Sequence, residues 1–349
     1  MAPKNESPGP IGGVFDYLDD FQRAILDPQD TIDFDVSAHG LALQAFLSYL
    51  GDGSKHVVCI GSGASQPVAS LAARIMLQCG AASARAVNPY TLIREYDHID
   101  AAVLISYGVS SPDALLAWQW MSKNAHRSLL VTGNPEAAPL SALDGREETA
   151  GALVGRPAGR DKGYIPAFAT LGLISILGRY VAGMGTDEMT DLLAASAGGG
   201  FGPSPDEVAG LFRYPVSSTV VCTSDVRPGL EDLSNRISES ALGDVCLEDP
   251  ADFVHGQYLT SIFRPNDCSV IAVSSGAEQA EIRYLDDRVP KTLIDSRITI
   301  PFAKVSASIA SMFFSMKLFA SILQNLEGEI ENRTLPDWGI ALYYDRNRL

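Results

Sequence analysis

Short apolar runs alternate with amphipathic stretches along most of the chain. Residues 41–50 place apolar side chains at helical spacing, 56–60 form a continuous apolar run, and 67–78 return to helical spacing. The cycle recurs with apolar runs at 101–106 and 128–132 around a helical stretch at 113–124. Two more helical stretches, 164–181 and 187–195, precede the run GGGFGPSPDE at 198–207. Beyond it, strands at 218–223, 269–274 and 298–301 interleave with helices at 229–240, 277–284 and 305–326. Uninterrupted apolar strands, polar turns and helices in rotation predict parallel sheets covered by helices on both faces. Their crossovers are expected to be right-handed. The fold class is therefore α/β, as two tandem doubly wound, flavodoxin-like halves. The glycine-rich run sets the boundary: a first half over 36–204 and a second over 205–332.

The ends read differently. Residues 1–35 are expected to form a flexible tail, because the opening MAPKNESPGPIGG is polar and rich in Pro and Gly. No charged start leads into an apolar run there, so no targeting segment is expected. Residues 333–349 mix aromatic and basic side chains and are expected to lie across the body as an extended tail. The most apolar run, 309–323, contains Lys317 and several serines and is shorter than a membrane span. It predicts a buried core helix and no membrane partner.

Composition narrows the partners. The 349 residues carry a formal charge of −16, and the basic residues are scattered, with one mild cluster at Arg156, Arg160 and Lys162. Such a surface repels nucleic acid, so no nucleic-acid partner is expected. Cys59, Cys79, Cys222, Cys246 and Cys268 lie far apart without a CxxC spacing, which predicts free thiols in a reducing, cytoplasmic compartment. The histidines are equally dispersed, and no metal site is expected.

Candidate chemistry sits in two turns and one spaced pair. GSGAS at 61–65 joins a strand to a helix: Gly61 and Gly63 permit a tight turn, free helix-start amides attract an anion, and Ser62 and Ser65 add hydroxyls. A dinucleotide loop would continue to a third glycine, but Gln66 stands next and SYGVSSPD follows the second strand, so no cofactor is expected. That second turn offers Ser106, Ser110, Ser111 and Asp113, which also suit simple helix caps. Further on, Glu239 and His255 stand 16 positions apart. A carboxylate can move a carbon-bound proton, and an imidazole an oxygen-bound one near neutral pH. The pair also fits a surface glutamate and a helix-capping histidine. Arg236, one turn before Glu239, shares its helical face and suits either a pKa-lowering role or a surface ion pair. Asp161, Lys162 and Tyr164 precede the long helix at the domain edge and are candidates to line a pocket.

Together these features resemble the sugar isomerase (SIS) domain in two copies, over roughly residues 36 to 335. The layout is closest to the isomerase part of glucosamine-6-phosphate synthase, within a branch of bacterial double-SIS proteins suggested by 161–180 and by TLPDWGIALYYDR. The first turn matches a G-x-G-x-S form at Gly61, Gly63 and Ser65. Ser106, Ser111 and Asp113 fall in step with S-x-S-G-x-T-x-D, while Gly108 and Val109 replace a serine and a glycine. Glu239, His255 and Gly256 keep the spacing of the family's catalytic glutamate and E-x-x-H-G-P histidine, with Gln257 in place of the proline.

The resemblance implies a sugar phosphate ligand, its phosphate held by Ser62, Ser65, Ser106, Ser111 and amides at Gly61 and Gly63. It implies proton shuttling by Glu239, ring opening by His255, and an enediolate steadied by Arg236. It implies a homodimer with shared active sites, because the family's histidine comes from the partner. Two departures bear on catalysis: the tail after Gly328 lacks the family's lysine, and the strand at 220–223 is followed by SDVRPG without a glycine-rich cradle. No glutamine amidotransferase region precedes residue 36, which leaves free isomerisation as the enzymatic reading. A phosphosugar-binding regulator or an assembly protein with a relict pocket are the competing readings.

Overall fold

The computed structural model describes residues 13–26, 31–41, 43–141, 143, 148–155, 159, 161–198, 200–263 and 268–330. The 333–349 tail lies outside the described residues. The first half contains β1 (Val36–Gly40), α2 (Leu43–Leu50), β2 (His56–Ile60), α3 (Ser65–Gln78), β3 (Ser83–Val87) and α4 (Pro89–Glu95), preceded by α1 (Asp16–Leu26). It continues with β4 (Ile99–Ile105), α5 (Pro112–Asn124), β5 (Ala125–Thr132), α6 (Ala138–Ser141) and β6 (Ala150–Gly155). Helices α7 (Phe168–Ile176), extended by a π-helical turn over Leu177–Val181, α8 (Thr186–Ala197) and α9 (Pro205–Ala209) lead to the second half. There β7 (Val216–Cys222), α10 (Arg227–Glu239), β8 (Gly243–Glu248), α11 (Pro250–Asp252), a π turn (Phe253–Gln257) and α12 (Tyr258–Phe263) follow. The series ends with β9 (Ser269–Ser275), α13 (Gln279–Arg288), β10 (Ser296–Ile300) and α14 (Lys304–Leu326).

Two sheets result, in the orders β1-β6-β5-β4-β2-β3 and β10-β9-β7-β8. Every pairing is parallel except β1 with β6. The α/β class with helix-flanked parallel sheets is as expected from the apolar runs. Strands β1, β3, β6 and β8 were not expected. β1 and β8 are edge strands with mostly exposed or half-buried side chains, so neither carries a continuous apolar run. β3 is likewise an edge strand, and β6 reads AGALVG, too poor in branched residues to announce itself.

The N-terminal residues correct the tail expectation. Helix α1 buries Tyr17, Phe21 and Ala24 against the core. Tyr17 stacks on Phe21, meets the edge of Phe319, and donates its hydroxyl to Met316 O at 3.1 Å. Burying each such aromatic is worth about 1.5–3 kcal/mol, and this amphipathic helix is anchored by Tyr17, Phe21 and Ala24 together. Helix α14 is long and apolar enough to cross a membrane by length and composition, yet 89% of its apolar window is buried inside the protein. It packs on α10, α8, α9 and α3, and its core cluster is continuous with that of the first half.

Candidate functional site

Ligand positions in an open parallel sheet lie where neighbouring strands send their connections in opposite directions. In the first sheet that point is between β2 and β4, since the chain leaves β2 toward β3 and leaves β4 toward β5. The two serine-rich turns sit there side by side. They line a cleft of about 620 Å³ that includes Ser62, Ser65, Ser106, Ser111 and Glu239.

The β2–α3 turn is built by close approach. A Cβ at Gly61 would fall 2.3 Å from Ser65 O, so only glycine fits. Gly63 holds φ at +52°, in the region that favours glycine. Backbone bonds from Ser65 N to Ser62 O (3.0 Å) and from Gln66 N to Gly63 O (2.9 Å) close the turn. The second turn is held from the end of β5. Thr132 donates its hydroxyl to Tyr107 O at 2.8 Å, and the Asn134 amide donates to Gly108 O at 2.8 Å. Ser106 Oγ accepts from Val109 N at 3.2 Å, a bond that leaves its hydroxyl proton for another acceptor. Val109 holds φ at +47°, a strained value for a β-branched residue. Ser111 stands at the N-cap of α5, but its side chain makes no capping bond. Its hydroxyl is therefore not spent on the helix, contrary to the simple-cap alternative.

Glu239 is the last residue of α10 and comes to this cleft from the second half. A Cβ built on Gly63 would lie 3.6 Å from Glu239 Oε1, so the carboxylate faces the first turn directly. Burial pushes its carboxyl above the usual glutamate range; nearby Arg236 opposes this and Asp232 adds to it. A carboxyl raised by burial and facing a serine-rich turn is a candidate general base.

The other expected residues fall elsewhere. Arg236 lies beneath the cleft and does not line it. Its side chain is 2% exposed and is shared out among Asp232 Oδ2 (2.6 Å), Pro166 O (2.8 Å) and Thr170 Oγ1 (3.2 Å), with the Tyr17 ring 5.0 Å away. Those bonds tie α10 to the start of α7, so the arginine braces the wall instead of touching a ligand. His255 sits exposed in the π turn and is not among the residues lining this chain's cleft. Asp161 caps α7, accepting from the amides of Ala167, Phe168 and Ala169 at 2.6, 2.8 and 3.0 Å. Lys162 faces Asp19 at the surface, 3.9 Å away, and Tyr164 does line the cleft. Buried Asp20 of α1 accepts from Lys162 N at 2.6 Å, so the N-terminal helix holds the loop that delivers Tyr164.

Sequence reasoning missed Tyr90, Tyr107 and Pro166 in the lining. Tyr90 follows the unannounced strand β3, and 48% of it stays exposed. With β3 itself unannounced, nothing local to Tyr90 marked it as a lining residue.

No protein-family model matches the sequence, and no curated protein matches it. Among solved structures, tagatose-6-phosphate ketose/aldose isomerase from Escherichia coli superposes with a TM-score of 0.60 at 15% identity, covering 93% of this chain and 94% of that one. Glucosamine-6-phosphate deaminase from Thermotoga maritima gives 0.61 at 14%, covering 92% and 98%. The C-terminal domain of glucosamine-fructose-6-phosphate aminotransferase from Francisella tularensis gives 0.58 at 12%, covering 92% and 96%. The mostly parallel six-stranded sheet, the parallel four-stranded sheet, their strand orders and these superpositions show that the chain has the fold of the double sugar isomerase domain.

Proposed function

We propose that the cleft binds a sugar phosphate and interconverts its aldose and ketose forms. The observation that carries the reading is the placement of Glu239 Oε1 against Gly63 of the first serine turn. A phosphate at Ser62, Ser65, Ser106 and Ser111, with the amides at the start of α3, sets the sugar carbons toward Glu239. The ionised carboxylate takes the proton from C2. The electron pair released forms the C1–C2 double bond while the C1 carbonyl oxygen gains a proton, giving an enediol. Glu239 then returns its proton to C1, and loss of the proton on O2 leaves the ketone. His255 would open the sugar ring from a second copy of the chain, which makes the working unit a homodimer, in the cytoplasm.

A binding protein without turnover is the second reading. One observation favours it: among the described residues, no Lys, Arg or His lines the cleft to steady an enediolate. Calorimetry with fructose 6-phosphate, glucose 6-phosphate and the unphosphorylated sugars tests the site, and equal affinity for both classes would sink it. Exchange of the C2 proton with solvent deuterium separates the two readings: exchange supports the isomerase, and binding without exchange supports the binder.

A further inference from the structure

Helices α3 and α10 pack against each other and run antiparallel, as their ends show. At one end, the turn that starts α3 meets Glu239, the last residue of α10. At the other, Arg74 of α3 pairs with Asp225, two residues before α10 begins. Nine residues of helix separate Ser65 from Arg74, about 13.5 Å along the axis. The pair therefore fixes the helices against sliding at the end away from the cleft.

Asp225 is well suited to act as a fixed post. It is 4% exposed. Besides Arg74, its carboxylate accepts from Lys304 N at 2.8 Å and from Ser275 Oγ at 3.3 Å. Its own carbonyl accepts from Ser308 Oγ at 2.6 Å, and its amide donates to Glu278 Oε2 at 2.9 Å. Three parts of the second half thus hold Asp225, which α3 grips: the end of β9 at Ser275, the β9–α13 turn at Glu278, and α14 at Lys304 and Ser308. Arg74 reaches across 151 positions of sequence to do so.

We propose that Arg74 and Asp225 are a positioning pair that sets the distance between the phosphate-binding turn and Glu239. This rests on the reading of the cleft given above. The reason to expect an effect is geometric: a sugar phosphate must touch both the turn and Glu239, whereas inorganic phosphate touches only the turn. A displacement of about 1 Å at a reacting centre is enough to cost on the order of 100-fold.

The test uses the whole protein with Asp225→Asn, Arg74→Ala and the double variant. Arg74→Lys keeps the charge and guards against a misfolded result. Amide hydrogen exchange without ligand comes first, over residues 65–78. Faster exchange there in both single variants, with no further gain in the double, is expected of a coupled pair. Unchanged exchange in α3 overturns the tie whether or not any ligand binds. Calorimetry then compares fructose 6-phosphate with inorganic phosphate. Weakening of the sugar phosphate by about tenfold, with inorganic phosphate within about twofold, and recovery in Arg74→Lys, is the expected result. Equal weakening of both ligands, or of neither, overturns the positioning role. A parent protein that binds neither ligand refutes the cleft reading itself, and with it the positioning role that rests on that reading.

Discussion

The two halves place the same kind of turn at the same kind of sheet position and use it in opposite ways. In the first half, the turns after β2 and β4 leave serine hydroxyls around an open cleft. In the second, the neighbouring strands are β7 and β9, and their connections likewise leave in opposite directions. The donors there converge on the protein's own carboxylates. Ser224 Oγ and Ser275 Oγ donate to Glu278 at 2.6 and 3.0 Å, the Asp225 amide does so at 2.9 Å, and Ser275 Oγ also reaches Asp225. Burial pushes the Glu278 carboxyl up, but the Ser224 and Thr223 hydroxyls and the Asp225 amide outweigh it and hold it below the usual glutamate range. An architecture that offers anion donors twice thus leaves one set open to a cleft and satisfies the other internally. The second half then contributes rigidity and one carboxylate, Glu239, to the cleft of the first.

The largest expected effect is at that contributed carboxylate. Glu239→Gln keeps the shape and removes the base, so C2 proton exchange should fall by about 10²–10⁴-fold. Burial raises the folded-state pKa above the unfolded one. The stability linked to this group is therefore fully present below the ordinary glutamate range and is lost as pH rises through the raised value. Base activity should appear over that same interval. Above it, the glutamine variant should be more stable than the parent while exchanging less, as seen by thermal unfolding across pH. A variant that is both inactive and less stable at high pH would break the contrast between a strained functional carboxylate and a satisfied structural one.

Next in size is Arg236→Ala. It strands Asp232, whose side chain is 1% exposed, and releases Pro166 O and Thr170 Oγ1. Loss of one member of a buried ion pair costs about 3–5 kcal/mol. Urea unfolding measures it. A loss under about 1 kcal/mol, with exchange activity abolished, would return Arg236 to the list of ligand-touching groups.

Glu278→Gln and Ser65→Ala test the two turns against each other. Glu278 is half-buried and accepts from the Ser224 and Ser275 hydroxyls and the Asp225 amide, among others, so its replacement should cost about 1 kcal/mol. Its lowered pKa adds a pH signature: the contribution is present above the ordinary glutamate range and fades as pH falls through the folded value. Ser65→Ala should change stability by less than about 0.5 kcal/mol and weaken sugar phosphate binding instead. Reversed outcomes, with stability lost at Ser65 and kept at Glu278, would erase the distinction.

Legibility in the sequence followed locality. The turn at 61–65 could be read because five consecutive residues carry its whole mechanism, and Glu239 because a fixed spacing accompanies it. The second-half lock was not legible: Asp225 and Glu278 lie 53 positions apart, and each alone looks like an ordinary helix-start acid. The pKa-lowering role read for Arg236 fits its place beside Glu239, but its burial away from the cleft was not legible, for a related reason. Helical periodicity correctly sets it one turn from Glu239, but its partners Pro166 and Thr170 are 70 and 66 positions away, and they turn its side chain away from the cleft. Helix α1 hid behind a polar leader, since its anchoring residue Tyr17 finds its hydrogen bond 299 positions away at Met316. The edge strands hid because half-exposed side chains break the apolar run.

The expected effect at Val109 is small because two larger ones oppose. Its φ of +47° costs about 1–3 kcal/mol for a β-branched residue. Its side chain is also 3% exposed and packs in the core cluster around β4 and α5, which is worth about 1.5–3 kcal/mol. Val109→Gly removes the strain, forfeits that packing, and adds about 0.5–1 kcal/mol of chain entropy to the unfolded state. With each contribution at mid-range the net change is a loss of about 1 kcal/mol, and the extremes run from a gain of about 1 to a loss of about 3 kcal/mol, measured by urea unfolding at the pH of greatest stability. A loss above about 4 kcal/mol would mean the backbone stores no strain there. Stabilisation beyond about 1 kcal/mol would mean the valine packing counts for little, and that the turn between Ser106 and Ser111 is held in shape by hydrogen bonds, those from Thr132 and Asn134 and the backbone bond to Ser106 Oγ.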